Sequence, residues 1–149
     1  MTEHLRFQGA KLALFLGGRL AVIRRDDIPG LAWAGYLDLP GGGRESGETA
    51  EACVIRETQE ELGLMLTPEQ LVWRRHYVGP LSAWFFAAHL PETCAAQVVF
   101  GDEGQSWHLM TPAEYLTAPD AIPHFQDRVR DYLQDAVSSG ASNRRFPVE

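Results

Sequence analysis

Long apolar runs and cysteines are both scarce in this sequence, and each shortage excludes a class of protein. Residues 10–16 are apolar only briefly and are interrupted by Lys11, so they are too short to span a membrane. No small-residue cleavage site follows them, so they do not form an export signal. The two cysteines, Cys53 and Cys94, do not make a disulfide framework in 149 residues. We therefore expect a cytoplasmic protein with reduced thiols and no membrane partner.

Basic residues are also in the minority, with 13 Lys and Arg against 20 Asp and Glu and a net charge of −7. A protein of that sign disfavours long polyanions, so we expect no nucleic acid polymer as a partner. A small phosphorylated substrate stays open if a metal ion bridges it to the acids. Internal repeats are missing too, which predicts a single domain over residues 1–149 with a flexible tail at about 138–149.

The sequence does contain a glycine-rich loop that leads into a helix pattern, at residues 42–64. Thr49 is suited to cap the N-terminus of this helix. Gly63 is suited to the left-handed position that ends a helix. The segment therefore predicts a loop, a helix and a stop.

Three acids cluster near the end of that predicted helix. Glu57, Glu60 and Glu61 are spaced i, i+3, i+4, so they share one face of its last two turns. The helix dipole disfavours negative charge there, so the cluster favours a compensating cation. Mg²⁺ or Mn²⁺ suits such oxygen ligands, and a solvated acidic face near Arg56 is the alternative.

The same segment resembles the Nudix box, whose pattern is G-x5-E-x7-R-E-U-x-E-E-x-G-U with U a bulky aliphatic residue. The fixed positions are held by Gly42, Glu48, Arg56, Glu57, Glu60, Glu61, Gly63 and Leu64. The departure from the pattern is Thr58, where an aliphatic residue is usual and where the threonine methyl can still pack inward. The resemblance implies a Nudix-like α/β/α sandwich, with the box helix and a C-terminal helix packed on a mixed β-sheet.

The rest of the chain predicts strands and helices on both sides of the box helix, which favours the α/β class. Gly17-Gly18 predicts a hairpin, and Thr111-Pro112 with Glu114 predicts a capped helix. Extended segments are predicted at residues 10–16, 19–25, 36–39, 70–78, 82–90, 97–100 and 105–110. Further helices are predicted at residues 111–117 and 123–137.

The resemblance implies hydrolysis of a nucleoside diphosphate linked to some group X, with Mg²⁺ (or Mn²⁺) as cofactor. The implied metal ligands are the Gly41 carbonyl and the carboxylates of Glu57, Glu60 and Glu61. Glu48 and Arg56 match the pair that steadies the loop against the helix in this family. Contact of Arg56 with phosphate is the alternative.

Residues outside the box are expected to complete the site. Glu103 follows Asp102 between two glycines, and family members often supply an acid from such a loop. It would be a further metal ligand or the general base, and an ordinary turn acid is the alternative. Trp33, Tyr36 and Trp107 could stack on a nucleobase, with packing in the core or at the rim as the alternative.

The group X is not specified by the box. The short chain and the Leu-Pro-Gly-Gly-Gly lead-in resemble members that act on a (d)NTP or a modified nucleotide. The position of Pro80 resembles ADP-ribose-hydrolysing members, so an ADP-ribose or nucleotide-sugar pyrophosphatase is the alternative. A non-catalytic nucleotide-sensing module is the alternative of another class. A homodimer is compatible with the family, and the sequence does not decide it.

Overall fold

The computed structural model describes residues 6–80 and 82–138. The tail predicted at about 138–149 therefore lies, beyond its first residue, outside the described residues. Within those ranges, no helix is long and apolar enough to cross a membrane.

Seven strands of the described ranges form one mixed sheet in the order β3-β2-β1-β6-β5, with β4 paired to β1 and β7 paired to β2. The strands are β1 (Gly9–Leu16), β2 (Arg19–Arg24), β3 (Leu37–Asp38), β4 (Gly41–Gly43), β5 (Trp73–Tyr77), β6 (Ala83–Leu90) and β7 (Ser106–Met110). The central pair, β1 with β6, is parallel over its full length. The other pairs are antiparallel, and β1 and β2 form the predicted hairpin around Gly17.

The helices are α1 (Ala50–Leu62), α2 (Pro112–Thr117) and α3 (Pro123–Ser138). Side chains alternate across β1, so Leu12 and Leu14 face one core while Ala13 and Phe15 face the other. The first core is closed by α1, and the second by α2 and α3. The sheet is thus covered on both faces, and the predicted α/β/α sandwich is confirmed.

The ends of α1 follow the local sequence. The Thr49 side chain accepts a hydrogen bond from the Ala52 amide at 3.1 Å, as an N-cap does. Gly63 adopts φ 70°, and its amide donates to the Gln59 carbonyl. At α2, Thr111 and Glu114 form the predicted capping box.

Three local predictions were wrong. Residues 97–100 do not form a strand. The preceding segment forms a 3₁₀ helix at Glu92–Gln97, and the chain that follows hydrogen-bonds to the end of α1. The strand predicted at 70–78 is shorter, at Trp73–Tyr77, since Pro68–Gln70 forms a 3₁₀ turn. The three glycines of β4 were predicted as loop and are extended because they pair with β1.

Candidate active site

The glycine loop lies directly against α1, and two of its glycines have no room for a side chain. A Cβ on Gly42 would lie 2.5 Å from a carboxylate oxygen of Glu57. Gly41 has φ 122°, and a Cβ there would lie 2.2 Å from the Ala10 carbonyl oxygen. Glycine therefore lets the loop backbone lie directly against the Glu57 carboxylate on one side and against β1 on the other.

Glu48 and Arg56 form a two-point ion pair between the loop and the helix. Arg56 Nε lies 2.6 Å from Glu48 Oε2, and Arg56 Nη2 lies 3.0 Å from Glu48 Oε1. Arg56 Nη2 also donates to the Gly43 carbonyl at 2.9 Å. The hydrogen bonds from Arg56 lower the pKa of Glu48 to about 2, so this carboxylate stays ionised. Arg56 therefore ties α1 to the loop at Glu48 and Gly43, and we call these contacts the clamp.

Arg56 also reaches two of the three clustered acids. Its Nη1 lies 3.1 Å from Glu57 and 3.3 Å from Glu60. The Glu57 side chain is 15% exposed and that of Glu60 is 56% exposed, so the two differ in how much solvent screens them. Burial raises the pKa of Glu57, against the opposing effect of Arg56. Glu57 is thus the more constrained of the two.

Glu61 projects from α1 to the start of the glycine loop. Its Oε1 accepts a hydrogen bond from the Gly41 amide at 2.9 Å. Burial raises the pKa of Glu61 to about 8, and the nearby charge of Glu57 acts in the same direction. Lys11 opposes that rise without cancelling it. Glu61 is therefore a carboxyl group whose surroundings lack enough positive charge.

In the described part of the chain, no three Asp, Glu, His or Cys side chains converge closely enough to hold a metal ion as they stand. The reason is that Arg56 draws Glu57 and Glu60 together while Glu61 turns to the loop amide. The donor set nevertheless fits Mg²⁺ or Mn²⁺ in its chemistry, because carboxylate oxygens and an adjacent backbone carbonyl are hard ligands. Because burial raises the pKa of Glu61, a cation bound beside this carboxyl group would stabilise its ionised form.

A cavity of about 290 Å³ brings Glu61 and Glu103 together. Its other acidic lining residues are Asp26 and Asp38, and Arg25 is its cation. Glu103 is exposed and makes no ion pair or hydrogen bond within residues 6–80 and 82–138. We call this space the acidic cavity. The expected acid from the loop after residue 100 thus lines the same cavity as the box glutamate.

A second cavity, of about 690 Å³, lies on the α3 side of the glycine loop and is bordered by Gly42 and Gly43. It is largely apolar, with Tyr77 and Phe125 among its rings. We call this space the aromatic cavity. Its charged lining residues are Lys11, Arg25 and Arg128, and no carboxylate is among them.

The three aromatic residues expected to stack on a base do not form one group. Trp33 and Tyr36 contact each other, with ring centroids 5.0 Å apart, and Trp33 lies 5.9 Å from the His124 ring at the edge of the aromatic cavity. Trp33 is 42% exposed and has the unusual φ of 54°. Trp107 is packed against the core under α1 instead.

Three residues between the two cavities were missed from the sequence: Lys11, Arg25 and Asp38. Lys11 Nζ lies 3.0 Å from Asp38 and 2.9 Å from the Gly41 carbonyl oxygen. Asp38 is 5% exposed. The available signal was a single lysine inside an apolar strand, because a cation in that setting requires an acceptor nearby.

Thr58 is the one departure from the box pattern, and it is fully buried. Its hydroxyl oxygen has no hydrogen-bond partner within the described residues. An unpartnered buried hydroxyl of this kind lowers the stability of the folded state.

Comparison with known proteins supports the same architecture. A model of the NUDIX domain matches residues 8–133. No curated protein sequence gives a significant match. The solved MutT protein of Methanosarcina mazei Go1 is 19% identical with a TM-score of 0.71, and the match covers 91% of this chain and 98% of that one. An Ap4A hydrolase of C. elegans, solved as a binary complex, is 20% identical with a TM-score of 0.66, and the match covers 88% and 99%.

A third structure is larger than this chain. The bifunctional NMN adenylyltransferase/ADP ribose pyrophosphatase of Francisella tularensis, complexed with AMP and an Mn ion, is 19% identical with a TM-score of 0.56. The match covers 77% of this chain and 35% of that one. At these identities the structural likeness establishes the fold.

Fold, box and domain match together define the class of protein as a hydrolase that acts on phosphorus anhydrides. The chain belongs to the NUDIX family, since the domain model spans most of its length and includes the whole of residues 42–64.

Proposed function

We propose that this chain is an Mg²⁺- or Mn²⁺-dependent pyrophosphohydrolase that cleaves a nucleoside diphosphate linked to a group X. The favoured substrate is a (d)NTP or a modified nucleotide, and ADP-ribose or a nucleotide-sugar is the alternative. The observation that carries the proposal is Glu61, a half-buried carboxyl group with a raised pKa that lies beside Glu57 and lines one cavity with Glu103. Such a group favours a bound cation.

Binding of the ion would require the side chains around the end of α1 to turn towards one another, since Arg56 now contacts Glu57 and Glu60 and Lys11 contacts the Gly41 carbonyl. The proposed ligands are the Gly41 carbonyl and the carboxylates of Glu57, Glu60, Glu61 and Glu103. When bound, the ion would neutralise phosphate oxygens and lower the pKa of the attacking water. The likeness to the Francisella enzyme, whose structure contains Mn, supports an ion of this type.

The remaining chemistry is positioning and proton transfer by this chain. The oxygen of water forms a new bond to phosphorus as the bridging P–O bond breaks, and the electron pair leaves with the departing phosphate. The proton of the water passes to a carboxylate, and we assign this role to Glu103, which lines one cavity with Glu61; ligation of the ion by Glu103 is the alternative role. Glu48 and Arg56 hold the loop in place meanwhile.

The nucleoside is assigned to the aromatic cavity, which borders the glycine loop. Tyr77 and Phe125 offer ring faces to a base, whereas Trp33 and Tyr36 would act at the rim. A volume of about 690 Å³ is large enough for a nucleoside. A cavity lined by cations and no carboxylate also suits a phosphorylated small molecule.

A nucleotide panel tests the reaction and the substrate together. The purified chain is incubated with each (d)NTP, ADP-ribose and nucleotide-sugars, with and without Mg²⁺, and release of phosphate or pyrophosphate is measured. We expect metal-dependent turnover of at least one compound, and loss of that turnover in Glu61→Gln. Glu69→Gln is the matched control, because Glu69 is exposed in the turn before β5.

The sensor alternative makes a different prediction in the same experiment. Tight nucleotide binding without turnover, in the presence of either metal, would contradict the enzymatic assignment. The full set of box acids supports turnover, since a module that only binds nucleotide has no need of them.

A further inference from the structure

Asp38 on β3 forms ion pairs with two cationic side chains. Lys11 Nζ lies 3.0 Å from its Oδ1, and Arg25 Nη1 lies 2.9 Å from its Oδ2. The carboxylate also accepts a hydrogen bond from the Leu39 amide, so its acceptor capacity is largely used. Lys11 also lies near Glu61 and lowers the pKa of that carboxyl group, so its charge acts on both acids.

The same three residues stand between the two cavities. Lys11 and Arg25 line the aromatic cavity, while Arg25 and Asp38 line the acidic cavity. Arg25 therefore borders both spaces. It is the residue that the linings of these two cavities share.

We propose that Lys11 and Arg25 bind the phosphate nearest the nucleoside, where the substrate crosses from the aromatic to the acidic cavity. This inference rests on the proposed function, which assigns the nucleoside to one cavity and the metal to the other. Arg25 Nη2 makes no hydrogen bond within the described residues, and it can donate to an anion at the crossing from a side chain that Asp38 and the Ala32 carbonyl already hold in place. Lys11 Nζ already donates to Asp38 and to the Leu39 and Gly41 carbonyl oxygens, so it would act on the anion through its charge. The two residues would thus set the register of the phosphate chain relative to Glu61.

The competing explanation is that these ion pairs only tie β3 to its neighbours. Arg24 provides the comparison, because it has the same kind of contacts: its Nη1 lies 3.0 Å from Asp120 and donates to the Gly35 carbonyl at 2.8 Å. Arg25 likewise donates to a loop carbonyl, that of Ala32, at 3.0 Å. The arginine side chains are 33% and 27% exposed, and the two ion pairs differ in two respects: Arg25 borders both cavities whereas Arg24 lines neither, and the Asp38 side chain is 8% exposed against 46% for Asp120. Thermal unfolding of each variant separates the loss of a buried ion pair from the loss of a ligand contact.

Calorimetric titration of the full chain with magnesium pyrophosphate tests the proposal. We expect Arg25→Gln and Lys11→Met each to weaken binding about tenfold, which corresponds to about 1.4 kcal/mol. Arg24→Gln should change it by less than about twofold, because that charge lies away from the crossing. Arg25→Lys, which keeps the charge, should retain most of the affinity, and thermal unfolding identifies any variant that fails to fold.

Equal losses in Arg24→Gln and Arg25→Gln would overturn the proposal, as would unchanged binding in Arg25→Gln or no binding by the unaltered chain. With a substrate from the panel, the proposal further expects KM to rise more than kcat falls in Arg25→Gln. If pyrophosphate binding depends on Arg25 and no nucleotide is hydrolysed, the phosphate site stands and the proposed function fails. The two conclusions are therefore separable.

Discussion

Glu48 and Glu61 are two acids of the same motif in opposite electrostatic settings. Glu48 meets Arg56 at two points, and those hydrogen bonds lower its pKa to about 2. Glu61 bonds to the Gly41 amide, and burial raises its pKa to about 8. Both acids belong to the same loop-and-helix segment, and they differ in two respects: Glu48 has a built-in cation, whereas Glu61 is more deeply buried and has no such partner among the described residues.

The contrast indicates that Glu48 stabilises the fold, whereas Glu61 is proposed to bind a ligand. A side chain whose counter-ion is built in lowers the free energy of the folded state. One that is partly buried without enough positive charge raises it, and the cost is recovered when a cation binds. On that basis we expect substitutions at the two residues to affect opposite properties.

The largest effect is expected on turnover in Glu61→Gln. Removing this carboxylate should lower kcat by about 100-fold or more, since one proposed metal ligand and its charge are lost. The melting temperature without metal at pH 8 should stay level or rise, because glutamine keeps an acceptor for the Gly41 amide and carries no charge. Steady-state kinetics and thermal unfolding measure the two. A clear fall in melting temperature would contradict the comparison.

The pH dependence of stability is expected to be the next largest effect. Because the pKa of Glu61 is raised in the folded state, the folded chain binds the proton more tightly, so stability without metal falls as pH rises from about 4.5 to 8. For a half-buried group we expect a loss on the order of 2 kcal/mol. Denaturant unfolding of the unaltered chain and Glu61→Gln across this range gives the difference, and added Mg²⁺ should abolish it. A pH-independent difference would refute the assignment.

Glu48→Gln should act chiefly on stability. Arg56 would lose its charged partner in the clamp, so we expect the free energy of unfolding at pH 7 to fall by about 1–2 kcal/mol. The pKa of Glu48 is lowered in the folded state, so its contribution is present above about pH 4.5 and is lost as pH falls towards 2. Urea unfolding at pH 7 and pH 3 measures this. An equal deficit at both values would show that the ion pair is not its cause.

Glu60→Gln is expected to have the smallest effect on stability. Its side chain is 56% exposed, and its contact with Arg56 is a solvent-screened i, i+4 pair. The free energy of unfolding should change by less than about 0.5 kcal/mol in urea. A larger loss would place Glu60 with Glu48 among the residues that hold the loop.

The sequence predicted those parts of the fold that depend on neighbouring residues. Thr49 and Gly63 bound α1 as expected, and the hairpin lies at Gly17, because caps and turns are set by local backbone chemistry. The strand of three glycines could not be predicted, since glycine disfavours strands and its conformation comes from pairing with β1. The parallel pairing of β1 with β6 could not be predicted for the same reason, because the two strands are far apart in the sequence.

The candidate site divides in the same way. The box acids were identified by their fixed spacing, and Glu103 by its loop. Arg25 and Asp38 belong to no spacing pattern, because only the sheet brings β3 beside the end of β2. The aromatic cavity was not predicted either. Phe125 lies in the helix predicted at residues 123–137, and only the tertiary structure places its ring beside Lys11.

The aromatic cavity has walls from β1, β4, β5, β6 and α3, and none of its lining residues comes from α1. On the proposed function, the residues that would contact the nucleoside therefore lie mostly outside the box, and the glycines of β4 are the part of the wall that adjoins the box acids. Substitutions in the α3 wall would then change which nucleotide is bound and leave the acids of α1 in place.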